Sequence, residues 1–89
     1  MESREARLKR MAMRSWRRGT KEMDLVLGPY ADARLSGMTE AELQGFDALL
    51  GENDQDLMAW LIGQKPAPET HARLISALAA FAEARLRRA

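Results

Sequence analysis

The residues best suited to chemistry in this chain are compressed into one run, Arg17-Arg18-Gly19-Thr20-Lys21-Glu22. Arg18 carries a planar fork of five N–H donors, and Glu22 offers a carboxylate one helical turn into the following segment. Gly19 between them lets the backbone take a positive φ or come close to another surface. One reading is an ordinary interhelical turn in which Gly19 stops the first helix and Arg18 pairs with Glu22. The other is a rigid polar tip that inserts into a partner, where Arg18 and Glu22 make charge-assisted hydrogen bonds.

Elsewhere candidate groups are sparse. Asp54 and Asp56, with Asn53 beside them, have the ligand type of a hard-cation site, but no calcium-loop spacing with a terminal Glu follows. Asp54 is better explained as the cap of a short helix, with a second role in contacting a partner. His71, the single histidine, has no Ser, Asp or second His in local register and is read as a surface residue. Tyr30 is read as a core residue with its hydroxyl at the surface. Trp16 and Trp60 are read as core anchors, Trp16 buttressing the run from behind and Trp60 having a partly exposed interface role as its alternative. Met11, Met13, Met23, Met38 and Met58 suit flexible core filling. With no cysteine, disulfides, thiolate zinc sites, iron–sulfur clusters and a cysteine nucleophile are excluded. No nucleophile–base pair or metal constellation is present, so an enzyme is not expected.

The elements that must position these residues fit one small domain of 89 residues and 10.0 kDa. Folding a chain of that mass removes roughly 9,000 Å² from water, enough for one thin core and not for an enclosed cavity. No apolar run approaches the roughly 20 residues of a membrane span, nor does the N-terminus have a secretory signal's apolar segment, so a soluble, cytoplasmic protein is expected. The net charge of +1 hides a segregation. Residues 1–18 hold seven basic side chains against Glu2 and Glu5, residues 19–70 three basic against ten acidic, and residues 71–89 four against one. Such a chain pairs its ends with its middle or presents two faces of opposite sign.

Strand signals are nearly absent while Ala, Leu, Met, Arg and Glu dominate, which predicts an all-α fold. Leu8, Met11, Ala12 and Trp16 mark helix one, stopped by Gly19. Thr20 caps helix two, with Glu22 and Asp24 at its positive end and Met23, Val26, Leu27 and Tyr30 inside; Gly28-Pro29 predicts a kink or a new turn near Leu27 before the helix resumes to about Arg34. Thr39-Glu40-Ala41-Glu42 is a capping box opening helix three, with Leu43, Phe46, Leu49 and Leu50 inside and Gly51 as its stop. Asn53 or Asp54 caps helix four, whose Leu57, Met58, Trp60, Leu61 and Ile62 predict burial on most sides or an interface, and Gly63 ends it. Pro68 suits the first turn of helix five, with Leu74, Ile75, Leu78, Phe81, Ala82 and Leu86 as its stripe and a frayed end at Arg85, Arg87 and Arg88. The expected architecture is a small five-helix bundle over residues 1–89.

Arg18-Gly19-Thr20-Lys21-Glu22 fits the pattern RGxxE, with Arg17 before it and Asp24-Leu25 and Tyr30 after it. Downstream stand Asn53-Asp54-Gln55-Asp56-Leu57, Trp60-Leu61, Gly63 and Pro68-Glu69. Together, over roughly residues 8–80, these resemble the small FAD assembly factor SdhE family, called succinate dehydrogenase assembly factor 2 in mitochondria. Tyr30 stands where an apolar aromatic is commoner. The resemblance implies a five-helix bundle without catalytic machinery that binds the flavoprotein subunit of succinate dehydrogenase, and in bacteria often that of fumarate reductase. It further implies assistance to covalent attachment of FAD to a histidine of that subunit, so the FAD belongs to the client and no cofactor is bound covalently here. The family's motif falls on Arg18, Gly19 and Glu22; Arg17, Asp24, Asp54 and Trp60 complete the expected partner-binding set. The free protein is expected to be a monomer. The competing reading is a helical nucleic-acid binder or other protein-interaction module using Arg7, Arg10, Arg14, Arg17 and Arg18. The acidic middle of the chain and a pI of about 8.2 argue against nucleic acid.

Overall fold

The computed structural model describes residues 1–88; Ala89, the last residue of the expected domain, lies outside them. Five helices form, α1 (Arg4–Trp16), α2 (Lys21–Arg34), α3 (Glu40–Leu50), α4 (Asp54–Leu61) and α5 (Glu69–Arg88), with a 3-10 turn at Leu35–Gly37 between α2 and α3. The first four start on a side chain that satisfies a free N–H of the first turn. Ser3 accepts from Ala6 N–H, Thr20 from Met23, Thr39 from Glu42 and Asn53 from Asp56. At Thr39 the capping box is complete, since Glu42 Oε1 also accepts from Thr39 N–H at 2.8 Å. That bond holds the Glu42 carboxyl below the usual carboxylate range. Of the two candidate caps of α4, Asn53 is the one used, so the explanation of Asp54 as the cap is corrected: Asp54 is the first helical residue, and its carboxylate turns elsewhere.

The Gly28-Pro29 step does not divide α2, which is continuous from Lys21 to Arg34. Proline at position 29 supplies no N–H for the Leu25 carbonyl one turn back. Arg85 Nη1 of α5 donates to that carbonyl instead, at 3.1 Å. Gly28 has its own reason: a Cβ there would overlap the Trp16 indole, so glycine is what lets α1 and α2 lie this close.

The core draws on every helix: Met11 from α1, Leu27 from α2, Phe46 from α3, Leu57 from α4 and Leu78 from α5 are each 1 % exposed or less. Burying such side chains stabilises by about 1.5–3 kcal/mol apiece. Tyr30 sits among them with edge-to-face contacts to Phe46 and Phe81, and burial raises its hydroxyl above the ordinary value. Several expected core positions lie outside. Trp16 is 39 % exposed, because it covers Gly28 from the surface while its Nε1 donates to Asp32 at 3.2 Å. Ser15 takes the inward place on α1, its hydroxyl returned to the Met11 carbonyl at 2.8 Å. Met13, Ile62 and Leu86 are exposed, and α5 is helical to Arg88 where a frayed end is expected.

The charge segregation resolves into pairing. Arg7 meets Glu40, Arg10 forks onto Asp47 at 2.9 and 2.7 Å, and Arg14 stands 3.7 Å from Asp47. The basic N-terminal helix is thereby laid along the acidic face of α3. The Arg10 guanidinium holds the Asp47 carboxyl below the usual carboxylate range. Among the described residues no helix is long and apolar enough to cross a membrane.

Candidate partner-binding site

The run 17–22 forms the joint between α1 and α2, and it is seated on the loop between α3 and α4. A helix ending at Leu50 leaves its last carbonyls without partners inside the helix. Leu50 O accepts from Arg14 Nη2 at 3.0 Å and from Arg18 Nη1 at 2.7 Å, and Glu52 O accepts from Arg18 Nη2 at 2.7 Å. The remaining edge of the Arg18 fork, Nε, donates to Asp54 Oδ1 at 2.9 Å. The other oxygen, Asp54 Oδ2, accepts from Gly19 N–H at 2.8 Å. Asp24 completes the seat from α2, accepting Arg18 N–H at 2.6 Å.

The Arg18 side chain is 8 % exposed and Asp54's 18 %. Arg18 therefore does not pair with Glu22; its donors are used inside the molecule. The glycine is explained by close approach rather than by backbone angle, since a Cβ at residue 19 would stand 3.1 Å from Asp54 Oδ2 and Gly19 has no positive φ.

Glu22 is left facing outward on the first turn of α2. It lines an open groove with Thr20, Met23, Gln55, Met58 and Gln64, the edge of Asp54 beside them. Carboxylate, hydroxyl and amides thus surround an apolar, methionine-bearing floor, an arrangement suited to a partner with a cationic or amide group at its contact point. Arg17, the residue after α1, is also exposed.

Of the seven expected site residues, Arg18, Gly19, Asp24 and Asp54 join one hydrogen-bonded network, Glu22 borders it, and Arg17 is solvent-facing. Trp60 stands apart, half-buried, its ring 5.8 Å from that of His71. His71 corrects the surface assignment: it is 6 % exposed, with Nε2 2.8 Å from Glu52 Oε2. Sequence reasoning missed the Leu50 and Glu52 carbonyls, since backbone acceptors leave no residue-type signal. Asp56 is held by Asn53 Nδ2 at 2.9 Å. No group of three or more His, Cys, Asp or Glu is placed to hold a metal ion among the described residues. The nucleic-acid reading is not favoured: Arg7, Arg10, Arg14 and Arg18 are engaged with acceptors of the chain itself.

Residues 9–82 match the family model described as flavinator of succinate dehydrogenase. Mitochondrial succinate dehydrogenase assembly factor 2 of Mycosarcoma maydis is 40% identical over 67 residues, which is 75% of this chain and 28% of that protein. The FAD assembly factor SdhE of Acetobacter pasteurianus is 37% identical over 67 residues, 75% of this chain and 62% of the relative. SdhE of Legionella pneumophila strain Lens is 38% identical over 60 residues, 67% of this chain and 76% of the relative. The matched stretch is thus less than two thirds of the first two relatives' length.

Proposed function

Since this chain belongs to the family described as flavinator of succinate dehydrogenase, we propose that it is an assembly factor that binds the flavoprotein subunit of that enzyme and promotes covalent attachment of FAD to it. A fumarate reductase flavoprotein is a second client of the same kind, and the work is done in the cytoplasm. The FAD is the client's, and the assembly factor contributes no reacting group. Binding favours the client conformation in which the flavin and its acceptor histidine meet, so the effect is a shift of population.

The observation that carries this reading is the seating of the turn. Arg18 and Gly19 are fixed on Asp54, Leu50 and Glu52, and so present Glu22 from a rigid base beside the Met23–Met58 groove. Arg18, Gly19, Asp24 and Asp54 shape the contact, while Glu22 and the exposed Arg17 meet the client. A preorganised tip loses little conformational freedom on binding, which raises affinity without added area. Trp60 acts from behind, through its packing on the core and on His71.

Deleting the gene and imaging in-gel flavin fluorescence of denatured cell protein tests this. A lost or weakened covalent-flavin band at the size of the succinate dehydrogenase flavoprotein is expected; an unchanged band would reject the function.

A further inference from the structure

We infer that His71 is a positioning residue for the contact turn, acting through Glu52 on the loop where Arg18 and Gly19 are seated. This role rests on the reading above of that turn as the client contact. His71 lies in the first turn of α5, far along the chain from the motif, and is 6 % exposed. Its Nε2 is 2.8 Å from Glu52 Oε2. A carboxylate oxygen only accepts, so Nε2 bears the proton and donates. The imidazole also lies against the Trp60 indole, centroids 5.8 Å apart and planes inclined at 34°, which fixes its aim from the α4 side.

Glu52 is the middle residue of the three that join α3 to α4. Its side chain receives α5 through His71, while its backbone carbonyl receives the turn through Arg18 Nη2 at 2.7 Å. The residues beside it, Gly51 and Asn53, are exposed and bring no apolar anchor to the loop. Glu52 N–H is bonded back to the Leu49 carbonyl of α3 at 3.0 Å, and the His71 bond is the lateral tie that adds to it from α5, keeping the Glu52 carbonyl, and with it the Asp54 carboxylate two residues on, in place under Arg18 and Gly19. A histidine buried only to fill volume would need a ring of that size; a positioning residue needs its N–H.

Two variants separate these. His71→Leu keeps apolar volume beside Trp60 and removes the donor, whereas His71→Gln keeps an N–H donor near the position of Nε2. The readout is amide hydrogen exchange in the free, full-length protein, at Gly19, whose N–H is bonded to Asp54, against Leu49 in the buried part of α3. His71→Leu is expected to speed Gly19 exchange by about tenfold while leaving Leu49 protected, a local rather than global opening. His71→Gln is expected to restore most of the Gly19 protection, and affinity for the client flavoprotein to follow the same order. Glu52→Ala, at a half-exposed loop position, removes the same bond from the other side and serves if His71→Leu does not fold; it is expected to deprotect Gly19 likewise. Unchanged Gly19 exchange in His71→Leu or in Glu52→Ala, or equal exchange in the Leu and Gln variants, would overturn the positioning role. Because exchange needs no client, wild-type protein that fails to bind the flavoprotein would count against the proposed function alone.

Discussion

Arg18 and Asp54, 36 residues apart in sequence, form a two-point latch in which Arg18 Nε donates to one carboxylate oxygen at 2.9 Å and the next amide, Gly19 N–H, donates to the other at 2.8 Å. The latch joins the α1–α2 turn to the first residue of α4 and divides the labour within the motif. Arginine and glycine build the turn, and the glutamate is what the turn displays.

Asp54→Ala is expected to lower stability by about 2–3 kcal/mol, because it leaves the Nε–H of a nearly buried guanidinium and the Gly19 backbone N–H without their acceptor. Urea unfolding checks this. A loss below about 0.5 kcal/mol, the range of ordinary surface substitutions, would mean that the latch bears little of the fold.

Gly28→Ala replaces a poor helix former by a good one, a gain of about 1 kcal/mol in an open helix. Here the new methyl meets the Trp16 indole. Displacing the ring costs about 1–3 kcal/mol, so net destabilisation is expected, with a red shift of tryptophan emission as Trp16 moves into water. A more stable protein with unchanged emission would show that α1 and α2 need no glycine at their crossing.

What was legible in the sequence was local. The Thr39 box closes over three residues, and the inward stripe of α3 repeats within one helix, so both are written in short spacing. The misreadings involve partners that only the fold supplies. His71 reads as a surface residue because Glu52 and Trp60 lie 19 and 11 positions away. Pro29 reads as a kink or a new turn; the new turn does not form, and the donor that reaches the Leu25 carbonyl in place of the missing N–H is Arg85, 60 residues from Leu25. The pairing of Arg18 with Glu22, one of two readings of the turn, fails because the Leu50 and Glu52 carbonyls and the Asp54 carboxylate offer the guanidinium three acceptors in a sheltered place. RGxxE points to the turn from three positions; which of its residues faces outward required the structure.

Stability should fall in acid partly through Asp47. Its folded-state carboxyl titrates below the ordinary range because Arg10 hydrogen bonds to it. A depressed pKa gives stabilisation that is fully present above the ordinary carboxylate value of about 4 and is lost as pH falls through the depressed value. With a side chain 25 % exposed, the pair contributes about 1 kcal/mol or less. Asp47→Asn is expected to flatten the stability–pH curve below about pH 4, measured by urea unfolding between about pH 2 and 7. Parallel curves for both proteins would exclude this carboxylate as a source of acid sensitivity.

Purified client flavoprotein lacking covalent flavin, incubated with FAD, measures the role of the turn when the rate of covalent flavin appearance is compared with no addition, wild-type protein and Glu22→Ala. Wild type is expected to speed attachment. Glu22→Ala is expected to fall back toward the rate without addition while keeping its unfolding free energy within about 0.5 kcal/mol of wild type, as for an exposed substitution. Full activity from Glu22→Ala, or no acceleration by wild type, would contradict a rigid turn that presents Glu22 to a flavoprotein.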